Sequence, residues 1–232
     1  MGQAPQIRTL EHVQRPSIAD QVFETIYSQV LALELPPGTK LSEAEVAKQL
    51  DVSRQPVRDA FWRLSQLGFL LIRPQRATVV TQISAADIFQ ARFIRTAVEV
   101  ETVRRACREL DETHVAELEQ LLCAQDQAIE KGDRQHFHEL DDEFHRRICD
   151  RLGLGFCWEL IREKKAHTDR VRFLSLSFAS RSAYDDHVEI LDAIRARDEA
   201  RGERAIRQHL GRIESLIVQL RHDNHEWFAE ED

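Results

Sequence analysis

The 232-residue chain predicts a mainly α protein in two parts, an N-terminal winged helix-turn-helix and a C-terminal antiparallel all-helical bundle. Three observations lead there: apolar residues recur at helical spacing along most of the chain, a short β-rich stretch follows the third helical run, and charge is divided unevenly. With 42% hydrophobic and 31% charged residues, and only eight Gly and six Pro, the composition is that of a helix-rich globular protein. A net charge of −8 speaks at first against a nucleic-acid partner, but it averages over parts that can do different jobs. Residues 54–82 carry Arg54, Arg58, Arg63, Arg73 and Arg76 against Asp59 alone, a local charge of +4. Up to residue 82 there are nine basic and eight acidic side chains, and beyond it 23 and 32, so the acidity belongs to the C-terminal part.

No run approaches the ~20 apolar residues that span a bilayer, and "MGQAPQIRTLEHVQRP" lacks the apolar core of a secretory signal, so a cytoplasmic chain with no membrane partner is expected. Cys107, Cys123, Cys149 and Cys157 form no CxxC pair and read as small buried apolar residues.

Residues 1–16 are expected to form a flexible arm. After the breaker Pro16, Ser17 caps a helix whose apolar stripe is Ile18, Val22, Ile26, Val30 and Leu33. "PPGTKL" ends it. Ser42 and Glu45 match a capping box that opens a short second helix through Val46, Ala47 and Leu50. A third opens at Ser53, tolerates Pro56 in its first turn, packs through Val57, Ala60, Phe61, Leu64 and Leu67, and stops at Gly68. Two helices joined by about three residues, the second with Arg54 and Arg58 near its start, are what a helix-turn-helix needs to reach base edges in the major groove. Arginine suits that task because its planar fork donates twice to guanine. Two β-runs, Phe69–Arg73 and Thr78–Gln82, around a turn with Pro74 and Arg76, complete a winged helix over residues 17–82.

"PPGTKLSEAEVAKQLDVSRQPVRDAFWRLSQLGFLLIRPQRATVV" resembles the winged helix of the GntR family of bacterial transcription regulators. Carried over by position, the resemblance implies that Ser53, Arg54, Gln55 and Arg58 contact DNA, with Arg76 at the wing tip. Two positions depart from the family pattern. Ala44 stands where many relatives have an arginine, and Ala77 stands where the wing tip usually carries the glycine that permits close approach to the minor groove.

Ser84 and Asp87 in "SAAD" mark a capped start, and from there the chain reads as successive helices, at approximately 84–109, 112–131, 133–150, 154–177, 180–198 and 201–222, separated by "DET", "KGD", "GLG", "SRS" and "DEARG". Residues 83–222 then form a helical domain and 223–232 a tail. Within "ELDDEFHRRI", Asp141 and His145 lie at i and i+4 and share a helix face. Taken alone, such a pair is more often a solvated face than a ligand pair. His138 and Asp142 compete for the same role, and His136, His167, His222 and His225 read as surface residues.

"RTAVEVETVRRA", "LDDEFHRRI" and "DDHVEILDAIRARD" followed by "IRQHL" are similar to the ligand-binding FCD domain of the FadR-type branch of that family. The resemblance implies a metal site whose ligands, position by position, are Asp141, His145, His187 and His209. Three neutral imidazoles and a carboxylate suit Zn²⁺ first, and Ni²⁺, Fe²⁺ or Mn²⁺ as well. It also implies that Arg95 faces an effector pocket, where a guanidinium beside a metal would receive a small carboxylate. The alternative for Arg95 is a surface pair with Glu99; Arg170 and Arg172 are further candidates to line the pocket.

The expected function is that of a homodimeric regulator, a repressor as is commonest in the family, not an enzyme. It would read a pseudo-palindromic operator in double-stranded DNA and respond to a small organic acid bound at the metal. Two alternatives remain: the metal itself as effector, and metal-dependent hydrolysis. The second is disfavoured because no general base, nucleophile or phosphate loop accompanies the site.

Overall fold

The structure is a computed structural model that describes residues 16–73 and 76–230, so the N-terminal arm and the wing turn at Pro74 lie outside the described residues. The chain divides into two compact units. Among the described residues, one holds those up to Ser28 and within Lys40–Val79, the other Gln29–Thr39 and those from Val80. The assignment of residues 29–39 to the second unit was not foreseen.

In the first unit, α1 (Ile18–Leu31) starts where Ser17 Oγ accepts the Asp20 amide at 3.1 Å while Asp20 Oδ2 accepts the Ser17 amide at 3.1 Å, a reciprocal cap. Val22, Phe23 and Ile26 are buried, whereas Ile18, placed in the same stripe, is 57% exposed because it sits in the first turn beyond the packed surface. Helices α2 (Glu43–Gln49) and α3 (Arg54–Gln66) are joined by residues 50–53, with Asp51 in the left-handed region at φ 52°. Ser42 and Ser53 occupy the N-cap positions in extended backbone, but neither side chain makes the capping hydrogen bond expected of it. Packing positions these helices instead: Val57, Ala60, Phe61 and Leu64 of α3 are buried, as is Ala47 of α2. Arg63 adds a tie to α1, bonding Asp20 at 2.8 Å with its guanidinium 3.9 Å from the Phe23 ring centroid.

Gly68, at φ 81°, turns the chain out of α3 into the wing. The sheet is short, with β2 (Leu70–Leu71) and β3 (Thr78–Val80) inside the two foreseen runs, and it has a third strand that the sequence did not announce. That strand, β1 (Lys40–Leu41), pairs antiparallel with β3, Lys40 opposite Val79 and Leu41 opposite Thr78, giving the order β1-β3-β2. Two residues are too few for a period-2 pattern to register.

The second unit is built from α4 (Ala85–Glu109), α5 (Glu112–Lys131), α6 (Arg134–Arg151), α7 (Gly155–Arg195) and α8 (Glu199–Asp223), followed by a 3-10 turn at His225–Trp227. Short connections make sequential neighbours antiparallel. The starts are capped as their sequences require: Ser84 accepts from the Asp87 amide, Asp111 from His114, Asp133 from His136 and Asp198 from Arg201. Helix α7 packs against each of the other four. The core it helps enclose includes Val103, Phe144, Ile148, Ile190, Ile206 and Leu210.

The helices expected at 154–177 and 180–198 are one continuous helix of 41 residues. No Gly or Pro lies between Phe156 and Arg195, and the "SRS" hydroxyl at Ser180 is absorbed by a bond back to the Leu176 carbonyl at 2.6 Å. The helix is nonetheless not straight. Arg172 bonds Asp141 Oδ1, and His187 Nε2 lies 3.4 Å from the same atom. Fifteen residues of straight helix would hold Arg172 and His187 about 22 Å apart, farther than the two side chains can bridge. The axis therefore bends between them, where Ser175 and Ser180 bond back to the carbonyls of Arg172 and Leu176.

Cys107 and Cys149 are buried as expected, Cys157 is half-buried and Cys123 is exposed. Among the described residues no helix is long and apolar enough to cross a membrane.

Candidate functional site

Helix α6 presents Asp141 and His145 on its inner face, α7 contributes His187 and α8 contributes His209; all four are buried. One donor atom from each lies within 4.8 Å of the others. His145 Nε2 and His209 Nε2 are 3.2 Å apart, and His187 Nε2 is 3.4 Å from Asp141 Oδ1. Ligand atoms 2.0–2.1 Å from a tetrahedral ion lie about 3.3–3.4 Å from one another. The spacing therefore fits one transition-metal ion.

The outer hydrogen bonds set the direction of the lone pairs. His187 Nδ1 is 2.9 Å from Gln125 Oε1, and Gln125 donates its own amide to the Leu140 carbonyl at 3.0 Å, so Nδ1 carries the ring proton. His187 Nε2 is then a bare acceptor, buried without a hydrogen-bond partner. His145 Nδ1 lies 2.8 Å from Glu99 Oε2, which cannot donate, so the His145 Nε2 lone pair also points inward. Asp186 Oδ2, 3.6 Å from His209 Nδ1, favours the same tautomer there. Asp141 Oδ2 is likewise buried without a partner. An outer acceptor on each imidazole is the pattern that orients metal ligands.

Charge reinforces this reading. Burial pushes the Asp141 carboxyl up, but the Arg172 guanidinium bonded to it overrides this and holds it well below the usual range. Burial keeps His187 and His209 below the ordinary imidazole value, hence neutral and able to ligate. Glu99, despite its burial, is held low by Arg95 and then His145.

Arg95 and Glu99 are paired, but not on the surface: Arg95 Nε donates to Glu99 Oε1 at 2.6 Å with both side chains 4% exposed. The pair is the outer support of His145. Of the two candidate arginines on α7, Arg172 faces the cluster, and Arg170 faces away, donating to the Thr81 carbonyl at 2.7 Å. His138 is buried rather than a fifth ligand and belongs to a second group with Asp142 and Asp169. Lys165 occupies that group, 2.8 Å from Asp142 and 2.6 Å from Asp169. Asp142 thus turns from the imidazoles, and Phe144 stacks on His187 with ring centroids 4.6 Å apart. His136 and His222 are exposed, as is His225, and His167 is half-buried.

Arg95, Arg172 and His209 also line a cavity of about 60 Å³, together with Arg92, Arg212 and an apolar wall from α6, α7 and α8. Gln125, Asp186 and Arg212, which hold the site from outside, were not found from the sequence. Their spacing carries no local signal, because each meets its histidine or acid only across helices.

In the first unit Ser53, Arg54, Gln55 and Arg58 are exposed at the start of α3, and Arg76 is exposed in the wing. Arg58 Nη2 rests 3.2 Å from Glu43 of α2, and Gln55 donates to Asp59 at 2.8 Å. Trp62, two turns after Arg54, is 60% exposed on the same face, an aromatic outside the set expected from the sequence to contact DNA.

Residues 18–80 match the bacterial regulatory proteins of the gntR family, and residues 87–212 match the FCD domain. The chain is 38% identical over 218 residues to "Uncharacterized HTH-type transcriptional regulator YdfH" of Escherichia coli O6:H1, covering 93% of this chain and 96% of the relative. It is 38% identical over 216 residues to "HTH-type transcriptional repressor RspR" of Escherichia coli K12, covering 92% and 95%. Among solved structures, E. coli McbR/YncC shares the fold with a TM-score of 0.73 at 24% identity, over 88% of this chain and 98% of that one. The chain therefore belongs to the gntR family of bacterial transcriptional regulators, with a DNA-binding winged helix followed by an FCD domain.

Proposed function

We propose that this regulator is a homodimeric repressor of a pseudo-palindromic operator. Its affinity for DNA is set by a small carboxylate held at a divalent metal between α6, α7 and α8. The observation that carries this reading is the convergence of three imidazole nitrogens and Asp141 within 4.8 Å, with outward acceptors on the rings. Asp141, His145, His187 and His209 would hold the ion, with Zn²⁺ first and Ni²⁺, Fe²⁺ or Mn²⁺ compatible with the donor set. When bound, it supplies a Lewis-acidic anchor for one carboxylate oxygen.

Charge balance favours an anionic ligand. Glu99, Asp141 and Asp186 are already matched by Arg95, Arg172 and Arg212. A divalent cation leaves positive charge that the protein does not neutralise. Arg95 and Arg172 line the cavity beside the cluster and would orient the second carboxylate oxygen.

On the DNA side, Arg54, Gln55 and Arg58 of α3, with Ser53 at its cap, would read and position the major groove, and Arg76 would follow the backbone from the wing. Phe89 and Phe93 lie one turn apart on α4, and Phe156 and Leu160 one turn apart on α7, all exposed; these are the surfaces a second copy would cover. The acid can act only by binding one dimer geometry better than another. Operator binding titrated with a panel of small acids, with and without metal, tests the reading. An acid-dependent change in affinity that requires the metal supports it, and an affinity indifferent to every acid contradicts it.

A second reading makes the metal itself the effector, favoured by the two facing imidazole nitrogens that a metal would satisfy. It expects reversible loss of operator binding on chelation without any acid.

A further inference from the structure

The cavity beside the imidazole cluster has a second polar end, and we infer that Arg92 and Thr168 there receive a second oxygen-bearing group of the ligand, a hydroxyl or a further carboxylate. This rests on the reading of the site as a carboxylate receptor and adds the class of acid: one with an oxygen at its far end, in preference to one that ends in methyl.

Arg92 precedes Arg95 by one turn of α4, and Thr168 precedes Arg172 by one turn of α7; all four line the cavity with His209. Arg92 is on the side of Arg95 away from Glu99, the support of His145, and Thr168 is on the side of Arg172 away from His187. One turn is about 4.5–6 Å along a helix axis, so this pair stands that much farther out than the two arginines beside the imidazoles. Helix α8 runs the same way, since Arg92 meets Glu214 at 2.8 Å, five residues past His209. Ile213 and Leu216 line that stretch of α8 and offer carbon to the methylenes between the two polar ends.

Both outer groups lack a partner. Thr168 is 5% exposed, and its Oγ1 is buried with no hydrogen bond among the described residues. A threonine within a helix commonly returns its proton to the carbonyl one turn back, as Thr102 does to Val98 at 2.9 Å, but Thr168 makes no such bond. Arg92 gives Nη2 to Glu214, while its Nε is likewise buried and unpartnered.

Arg92 Nε can only donate, whereas the Thr168 hydroxyl can donate or accept. A ligand oxygen that meets both accepts from Arg92, and it either donates to Thr168 or accepts from it. A methyl group in the same place displaces water from both and returns no hydrogen bond, so two buried polar groups are left unpaired. Charge admits either oxygen function. Arg92 is balanced by Glu214, and a second carboxylate would neutralise what the first leaves of the ion's charge.

The test is calorimetric titration of the full-length, Zn²⁺-loaded protein with butyrate, 4-hydroxybutyrate and succinate, acids of equal length that differ at the far end. At least one of the two oxygen-ended acids is expected to bind at least about tenfold more tightly than butyrate, and which one does so identifies the group. Thr168→Val keeps the shape without the hydroxyl, and Arg92→Lys keeps the charge beside Glu214 without the Nε donor. Each is expected to cut that ratio at least about threefold while butyrate, the control for an intact site, stays within about threefold. Butyrate binding as tightly as both other acids, or a ratio that survives either substitution, overturns the inference and leaves the carboxylate reading standing. Binding of none of the three acids to metal-loaded protein overturns both.

Discussion

His145 Nε2 and His209 Nε2 face each other at 3.2 Å, each on a ring whose other nitrogen is turned toward a carboxylate. Two lone pairs at that distance repel, so a proton or a metal between them relieves a buried conflict. Metal binding should therefore stabilise the helical unit. Zn²⁺ at about a hundredfold over its Kd is expected to add about 2.7 kcal/mol, or about 5–10 °C in the melting temperature for a domain of this size. Thermal melts of chelator-treated protein check this; His209→Ala should melt at the same temperature with and without Zn²⁺.

Arg170 is fully buried on α7 and faces the backbone carbonyls of Thr81 and Gln82, and burial draws its guanidinium down to about 10. The segment it holds is also stitched to the C-terminal turn, Ile83 donating to the Trp227 carbonyl at 2.8 Å and Ala229 to the Ile83 carbonyl at 2.9 Å. A buried cation without an acidic partner is costly, so replacing it by carbon should be nearly neutral for global stability. Arg170→Leu is expected to shift unfolding by less than about 2 kcal/mol but to speed hydrogen exchange at the Ile83 amide at least about tenfold. Unchanged exchange there would show that Arg170 does not hold the segment.

Lys165, Asp142 and Asp169 form an ion cluster of different character, since here the cation is supplied by the chain. Removing it by Lys165→Met should cost about 3–5 kcal/mol, and adding Asp169→Leu should recover most of the loss. Burial pushes Asp169 up, but Lys165 holds it below its ordinary 3.8; burial pulls Lys165 down, but Asp169 and Asp142 hold it above its ordinary 10.5. The stabilisation is thus complete between about pH 4 and pH 10, is lost as pH falls through the lowered Asp169 value, and is lost again as pH rises through the raised Lys165 value. Urea midpoints across pH for wild type and Lys165→Met should diverge inside that window and converge outside it.

Arg58 is restrained by Glu43 in the absence of DNA, so base contact requires breaking an exposed pair that contributes little. Arg58→Ala is expected to cost about 1–3 kcal/mol of specific operator binding, whereas Glu43→Gln should leave it equal or slightly tighter. Fluorescence anisotropy on the selected operator, repeated over a salt series, measures both. Undiminished specific binding by Arg58→Ala would remove it from base reading.

How much of this was legible in sequence depended on whether the signal was local. Capped starts such as Ser17 and Ser84, the α3 face and the Asp141–His145 spacing are local patterns, and each corresponds to the observed geometry. The bend in α7 was misread as a break because serines signal turns unless their hydroxyls bond back within the helix, which only the folded chain reveals. The supports of the imidazoles, Gln125 to His187 and Glu99 to His145, are separated by 62 and 46 residues, and no periodicity joins them. Arg170 and Arg172 looked equivalent in "DRVRF"; two residues on a helix point in different directions, and the phase was fixed only by packing.

Whether the buried imidazole and carboxylate group holds a metal is decided by calorimetric titration of chelator-treated full-length protein with Zn²⁺, wild type beside His187→Ala. One tightly bound equivalent per chain in the wild type, absent or greatly weakened in His187→Ala, is the expected result. No binding in the wild type, or equal binding in both proteins, would contradict it.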